Sequence, residues 1–318
     1  MSKQLGFASA FADARLGSNK KLEEIDRQID WSVLEPLAQR VRPGTAGRPP
    51  YEALAMLKAL YLQRLYDLSD PGLEEALLDR LSFRVFCGFS LEERTPDETT
   101  ILRFRHDAAK AGVLEQCFTL VIAQLEAQGL VLRAGTMMDA SIIRAQRQPP
   151  PMAAGRGAIN PQEPDAGWTG RGGKTVLGYK AHVGVDQGSG LVRRLVVTSA
   201  RVYESEVADD LICGDERAVY GDRAYPLKAR RARLKGLGIK DRIMHRADKH
   251  QRKIIGWRAR WNELVARRRA PVEAVFSAMK RLYGLARARS PCLSYVAADV
   301  FAFATIYNLR RAAILKHT

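Results

Sequence analysis

Gly135-Thr136-Met137-Met138-Asp139-Ala140-Ser141-Ile142-Ile143 is where the character of this chain changes. The run is short, apolar and β-prone, and it carries a single carboxylate. An acid among apolar neighbours in a strand is costly unless it is paired or bound to a cation. Met138, Ala140 and Ile142 can share one face of a sheet, so Asp139 is the first candidate for a functional group.

Upstream of this run the sequence reads as helical. Leu54, Leu57, Tyr61 and Leu65 recur at helical spacing, as do Leu73, Ala76, Leu77 and Leu81, and Leu114, Phe118, Val121 and Leu125. Asp70-Pro71-Gly72 is expected to open a helix, with Asp70 as cap and Pro71 at the first helical position. Thr95-Pro96-Asp97 is expected to open another, whose Arg103 and Arg105 are candidates for meeting DNA phosphates and base edges.

Downstream, residues 148–175 are rich in Pro, Gly and Ala and are expected to form a long loop. It ends in the basic run Gly170-Arg171-Gly172-Gly173-Lys174, which lacks the spacing of a nucleotide-binding loop. Tyr179, Ala181, Val183 and Val185 alternate with polar residues as a strand, Gln187-Gly188-Ser189-Gly190 turns, and Leu191–Thr198 returns. A short helix over Glu204–Ile212 precedes a fourth strand, Ala218–Gly221. This strand runs directly into Asp222, at a strand end where ligand sites form in α/β sheets. A strand near Ile239–Met244 and helices over Pro271–Gly284 and Tyr295–Leu315 close the chain. The pattern predicts an all-α N-terminal domain over 1–130. An α/β domain over 131–318 follows, with a mixed sheet, flanking helices and a basic insertion.

Glu273 falls in the first turn of the helix opened by Pro271, with Arg269 just before it and Lys280 two turns along the same face. Val272, Val275, Met279 and Leu282 form a separate apolar face. One acid flanked by two bases suits a metal ligand beside DNA phosphates, and phosphoryl transfer needs carboxylates that converge on divalent ions.

At 318 residues and 46% hydrophobic content the chain can bury one large core or two modest ones. Every apolar run is broken by charge short of a membrane span, and the N-terminus lacks a signal-peptide pattern. Cys87, Cys117, Cys213 and Cys292 are scattered, with no zinc or disulfide spacing. From Arg223 to Arg289 there are 21 Lys and Arg against 4 acids, which accounts for the whole formal net charge of +16. Basic density of this kind favours a polyanionic partner.

Seven segments in order carry a resemblance. They are Gly47-Arg48-Pro49-Pro50, Leu68-Ser69-Asp70, Thr95 to Arg105, Met138 to Ile143, Gly178-Tyr179-Lys180-Ala181-His182 with Val185-Asp186, Tyr220-Gly221-Asp222-Arg223-Ala224-Tyr225, and Val272-Glu273-Ala274-Val275-Phe276, which runs on through Lys280 to Arg287, Arg289 and Asn308-Leu309. Together they resemble the transposases of the IS-five insertion-sequence family, within the DDE superfamily of ribonuclease-H-like recombinases. Two positions depart from related sequences: Ala266 stands where a tyrosine is common, and Arg201-Val202-Tyr203-Glu204 where Asn-Val-His-Asp is common.

The resemblance implies a ribonuclease-H-like catalytic domain and a DDE transposase with endonuclease and strand-transfer activity. It implies Asp139, Asp222 and Glu273 as catalytic and metal-binding residues, with two Mg2+ or Mn2+ ions. The expected partner is double-stranded DNA, both element ends and target, bound by a homodimer or higher oligomer. Arg269, Lys280, Lys174, Lys180, Arg223, Arg103, Arg105, Arg287 and Arg289 are the candidate DNA contacts. A bacterial cytoplasmic, nucleoid-associated location is expected, without membrane or nucleotide cofactor. Two alternatives stand beside this reading: a ribonuclease-H-like nuclease that cuts without joining, and a non-mobile DNA-binding protein derived from a transposase.

Overall fold

The computed structural model describes residues 18–41, 50–147, 159–171, 174–247 and 254–317. It divides into two compact units, one formed by Met1–Gln128 with Phe301–Thr318, the other by Gly129–Val300.

The first unit is helical: α1 (Lys20–Asp26), α2 (Glu35–Ala38), α3 (Ala53–Leu65), α4 (Asp70–Asp79), α5 (Leu81–Cys87), α6 (Glu98–Lys110) and α7 (Val113–Ala127). Apolar residues on nearly every side of α3 make it the central helix, with Leu57, Tyr61 and Leu62 fully buried. Trp31 packs on Tyr61 and on Phe86, with ring centroids 5.8 Å apart in both pairs. The helix start near Asp70 differs from expectation. Ser69 is the cap, its hydroxyl accepting from the Gly72 N–H, while the Asp70 carboxylate accepts from Gln63 and pairs with Arg105 at 2.8 Å. Asp97 caps α6 by accepting from the Thr100 N–H.

The second unit is built on a six-stranded sheet: β1 (Thr136–Arg144), β2 (Gly167–Arg171), β3 (Lys174–Asp186), β4 (Val192–Ser199), β5 (Ala218–Gly221) and β6 (Lys240–Ile243). β3 pairs antiparallel with β1 along one edge. Its other edge takes β2 against its first half and β4 against its second. β1, β5 and β6 are parallel neighbours. β2 lies inside the stretch expected to be a loop. Its weakly apolar sequence has no periodicity to read, and its pairing with β3 supplies the order. Gly178 is required where it stands, because a Cβ there would lie 2.1 Å from the Ile143 carbonyl oxygen.

Helices α8 (Glu204–Val207), α9 (Lys228–Gly236), α10 (Trp257–Arg269), α11 (Val272–Arg281) and the start of α12 (Leu293–Lys316) complete this unit. The helix expected over Glu204–Ile212 is α8 followed by a 3-10 turn, Ala208–Leu211. A core of Met138, Leu211, Val219, Tyr225, Leu234 and Ile243 fixes β1 and β5 to α9 and β6. On α11 the apolar stripe is Val272, Val275, Phe276 and Met279. Leu282, expected in that stripe, is exposed because the helix ends at Arg281.

The expectation that 131–318 forms one domain is corrected at its end, since 301–318 groups with the helical unit. Phe301 there packs on Phe118 at 5.7 Å between centroids. A helix of this length, roughly 36 Å at 1.5 Å per residue, outruns one core. The mixed sheet, with three antiparallel strands leading into two parallel ones and helices around it, is a ribonuclease-H-like arrangement. None of the described helices is long and apolar enough to cross a membrane.

Candidate active site

The register of β1 against β5 builds the centre of the site. The last paired rung is Met137↔Tyr220, and two residues further on each strand stand Asp139 and Asp222. Parallel strands keep residues of equal register on one face, so the two carboxylates reach the same level at the open end of the β1–β5 pair. Gly221 lies close to its neighbours at the exit from β5: a Cβ there would stand 3.1 Å from Tyr225 Cβ and 3.2 Å from Met138 Cε, so a larger residue would make them shift by a few tenths of an ångström.

Both carboxylates are oriented by main chain. Asp139 Oδ1 accepts from the Ala140 N–H at 2.9 Å, and Asp222 Oδ1 accepts from the Ala224 N–H at 2.7 Å. Asp139 Oδ2 lies 2.8 Å from Arg269 Nη1, with only 20% of the Asp139 side chain and 14% of the Arg269 side chain exposed. Burial raises the Asp139 carboxyl above the usual carboxylate range. The Arg269 charge and the Ala140 N–H pull it down, and the Asp222 charge adds to the rise.

Glu273 enters from α11, which packs against β1. It is exposed, and it lines the same cleft of about 600 Å3 as Asp139, Asp222, Arg269, Lys280 and Glu204. The three acids singled out in the sequence thus line one opening. Their oxygens do not close as a set to within 4.8 Å of one another. Among the described residues the trio that does is Cys213, Asp215 and Glu216. That trio is already satisfied by protein. Arg193 holds both Asp215 oxygens at 2.8 Å and Arg133 adds 2.9 Å, while Glu216 accepts from the Cys213 and Gly214 N–H groups.

The donor set at the cleft fits a divalent cation. All its ligand atoms would be hard carboxylate oxygens. Burial, with a smaller contribution from the Asp222 charge, disfavours the ionised Asp139 carboxylate, a cost that a cation between the two aspartates would offset, and a guanidinium already stands at Asp139 Oδ2. Tyr225 is fully buried with its Oη unpartnered among the described residues, and burial, with the charges of Asp139, Asp222 and Glu204, holds its pKa well above the usual phenol value.

Several expected DNA contacts are engaged internally. Lys180 is buried and donates to the Val202 carbonyl at 2.8 Å, with Glu204 Oε1 2.9 Å from its Nζ. It is a structural ion pair in the wall of the cleft rather than a free base. Arg105 is bound to Asp70. Arg287 donates to the Ala145 and Gln146 carbonyls, clipping its segment to the end of β1. Within the basic stretch Arg230 is buried against Asp209 and the Ser205 and Tyr225 carbonyls, and Arg246 binds the Arg223 and Ala224 carbonyls. Charge counts in sequence overstate the cation available to a partner, because nothing local marks which bases meet a carbonyl. Arg103 and Arg223 are exposed, Lys280 is half-buried at the cleft, and Arg289 is half-buried. The Lys174 side chain, and Gly47-Arg48-Pro49, lie outside the described residues.

His182 pairs with Ala140 across the β1–β3 ladder, one rung from Asp139, and shares a strand face with Lys180. Its Nε2 is 2.9 Å from Thr198 Oγ1, and burial, with the Lys180 charge, pushes its pKa down to about 4. Asp186 is likewise structural, accepting from the Leu132 and Arg133 N–H groups and from Ser189 Oγ. Sequence reading missed Glu204 as a member of the cleft. Burial would raise its pKa, but the Lys180 bond and charge, with its own backbone and His182, keep it below the usual value. The signal was the acid one residue after Tyr203, which is exposed beside it.

A family model described as Transposase domain (DUF772) matches residues 10–107, and one described as Transposase DDE domain matches residues 132–309. Among solved structures, the chain is similar to a piggyBac transposase in a synaptic complex with hairpin DNA, seen by cryo-electron microscopy. The TM-score is 0.46 and the identity 10%, over 95% of this chain and 73% of that one. The transposase DDE model covers more than half of the sequence and includes β1, β5 and α11 with the three acids; the chain belongs to the DDE transposases, enzymes of DNA transposition.

Proposed function

We propose that the chain is the transposase of an IS-five-type insertion element, which binds the terminal inverted repeats of that element and cleaves and joins DNA there. Asp139, Asp222 and Glu273 are its catalytic acids. The observation that carries this reading is a single cleft in which the three carboxylates meet the bases Arg269 and Lys280. Two divalent ions, Mg2+ or Mn2+, held by the three carboxylates would supply Lewis-acid stabilisation of the attacking and leaving oxygens.

The chain's own groups do the rest. Backbone N–H groups of Ala140 and Ala224 hold one oxygen of each aspartate, which fixes the direction of the other. Lys280, with Arg223 and Arg289, neutralises phosphates on either side of the reacting bond. Arg103, exposed on α6, reads the element ends, so the helical unit contributes more to end discrimination than the sheet unit does. Two ends are held together by a homodimer or a higher oligomer on DNA.

The test uses the full chain, a duplex carrying the inverted repeats that flank its reading frame, a target plasmid and Mg2+. Nicks at the element ends and joined products are expected, both abolished by a chelator. Nicking without joining would instead identify a nuclease, and end binding without any nicking a DNA-binding derivative.

A further inference from the structure

We propose that Arg269 is the resident cation of the acid pair when the enzyme holds neither metal nor DNA, and that a divalent ion gains Asp139 by displacing its guanidinium. This rests on the reading of Asp139 as a metal ligand.

Both Asp139 oxygens are engaged: Oδ1 by the Ala140 N–H and Oδ2 by Arg269 Nη1. The amide is fixed in the middle of β1, whereas Arg269 is a long side chain on the last residue of α10. Oδ2 is therefore the oxygen an arriving ion can take. A guanidinium 2.8 Å from that atom leaves no room for a second cation at about 2.0–2.1 Å, and the two charges would repel.

The guanidinium is not fully satisfied where it stands: Nη1 meets Oδ2 at 2.8 Å, while its Nε is buried with no hydrogen-bond partner among the described residues. Buried donors left unsatisfied favour exchange of the group for a better one. In this position Nη1 is turned to Oδ2 of Asp139. Once displaced, the same side chain becomes available to DNA, so metal loading and the exposure of a phosphate-binding base are one event. The position also ties to Glu273: only Ala270, Pro271 and Val272 separate the two, and the Glu273 N–H donates to the Ala270 carbonyl at 3.1 Å. Release of Arg269 thus acts at the junction that carries the third acid, whose oxygens do not yet close on the aspartates.

The experiment measures Mn2+ binding to the full chain without DNA, from the free-ion electron paramagnetic resonance signal. Arg269→Gln should bind Mn2+ roughly tenfold more tightly than the unaltered chain, with Arg269→Lys between them. Asp139→Asn should bind weakly, and adding Arg269→Gln to it should change nothing. If Asp139→Asn loses the ion but Arg269→Gln binds no more tightly than the unaltered chain, the displacement is wrong and the reading of Asp139 survives. If Asp139→Asn binds as well as the unaltered chain, Asp139 is not a ligand and the underlying reading falls with the inference. Should Arg269→Gln fail to fold by circular dichroism, the unaltered chain labelled with 15N-arginine decides. Saturating Mg2+ should shift the Arg269 Nε–H resonance and speed its exchange with water, and an unmoved resonance would overturn the proposal.

Discussion

Asp139 and Asp222 stand two residues beyond the Met137↔Tyr220 rung of two adjacent parallel strands, so one main-chain register brings both carboxylates to the same level. Neither residue's local sequence contains that information. It arises when β1 and β5, separated by three other strands in the chain, become neighbours in the sheet.

From this arrangement, Asp139→Asn and Asp222→Asn are each expected to lower end cleavage and strand transfer by about a thousandfold or more, about 4 kcal/mol of barrier. The amide keeps the shape and the backbone contact but not the charge. Binding of the end duplex should change little. Gel-shift titration beside a Mg2+-dependent nicking assay checks both halves, and normal nicking by either variant would refute the assignment.

Lys180 and Glu204 make the opposite kind of prediction. Because Lys180 is buried and its ion pair is 2.9 Å long, Lys180→Ala should destabilise the fold by about 3 kcal/mol by leaving an acid without its counter-charge. Urea unfolding would report this. The salt dependence of DNA affinity should stay as in the unaltered chain, whereas a shallower slope would restore Lys180 to the list of phosphate contacts.

Neutralising a base at the cleft or on the exposed surface should behave otherwise. Arg223→Gln and Lys280→Gln are each expected to weaken binding to specific and random duplexes alike, and to reduce the slope of log affinity against log salt by roughly 0.9 per lost contact. Fluorescence titrations at several salt concentrations measure it. Unchanged slopes would remove these residues from the DNA surface.

Arg103 and Arg105 sit on one helix but have different fates. Arg105 is committed to Asp70 at 2.8 Å, so Arg105→Ala should lower the stability of the helical unit by about 2–3 kcal/mol. Arg103 is exposed, so Arg103→Ala should leave stability within about 0.5 kcal/mol and narrow the difference in affinity between element ends and random DNA. Equal loss of both affinities would exclude α6 from end recognition.

His182 predicts a pH effect. Its folded pKa is pushed down to about 4 by burial, against about 6.5 when unfolded. Between those values the unfolded chain binds the extra proton, so stability is full above about pH 6.5 and falls as pH drops toward 4. This group should account for about 2 kcal/mol of loss between pH 7 and pH 5, and His182→Gln should flatten that part of the profile. An unchanged profile in the variant would show that His182 is not the group responsible.

The sequence by itself determined the order of elements, the change from helices to sheet at Gly135, the three acids worth watching and the basic bias after Asp222. These are local properties: periodicity, turn chemistry and composition act within a few residues. It did not reveal β2, whose order comes from pairing with β3, nor the return of 301–318 to the helical unit, which depends on a helix outlasting its first core. Nor could it sort the bases. Lys180, Arg105, Arg230 and Arg287 look in sequence like Arg103 and Arg223, yet the first four are held by a carboxylate or carbonyl brought from elsewhere in the chain. Only the tertiary structure decided which charges stay available and that Arg269 stands on Asp139. An ion pair between residues far apart in the chain exists only once the fold has removed both from water.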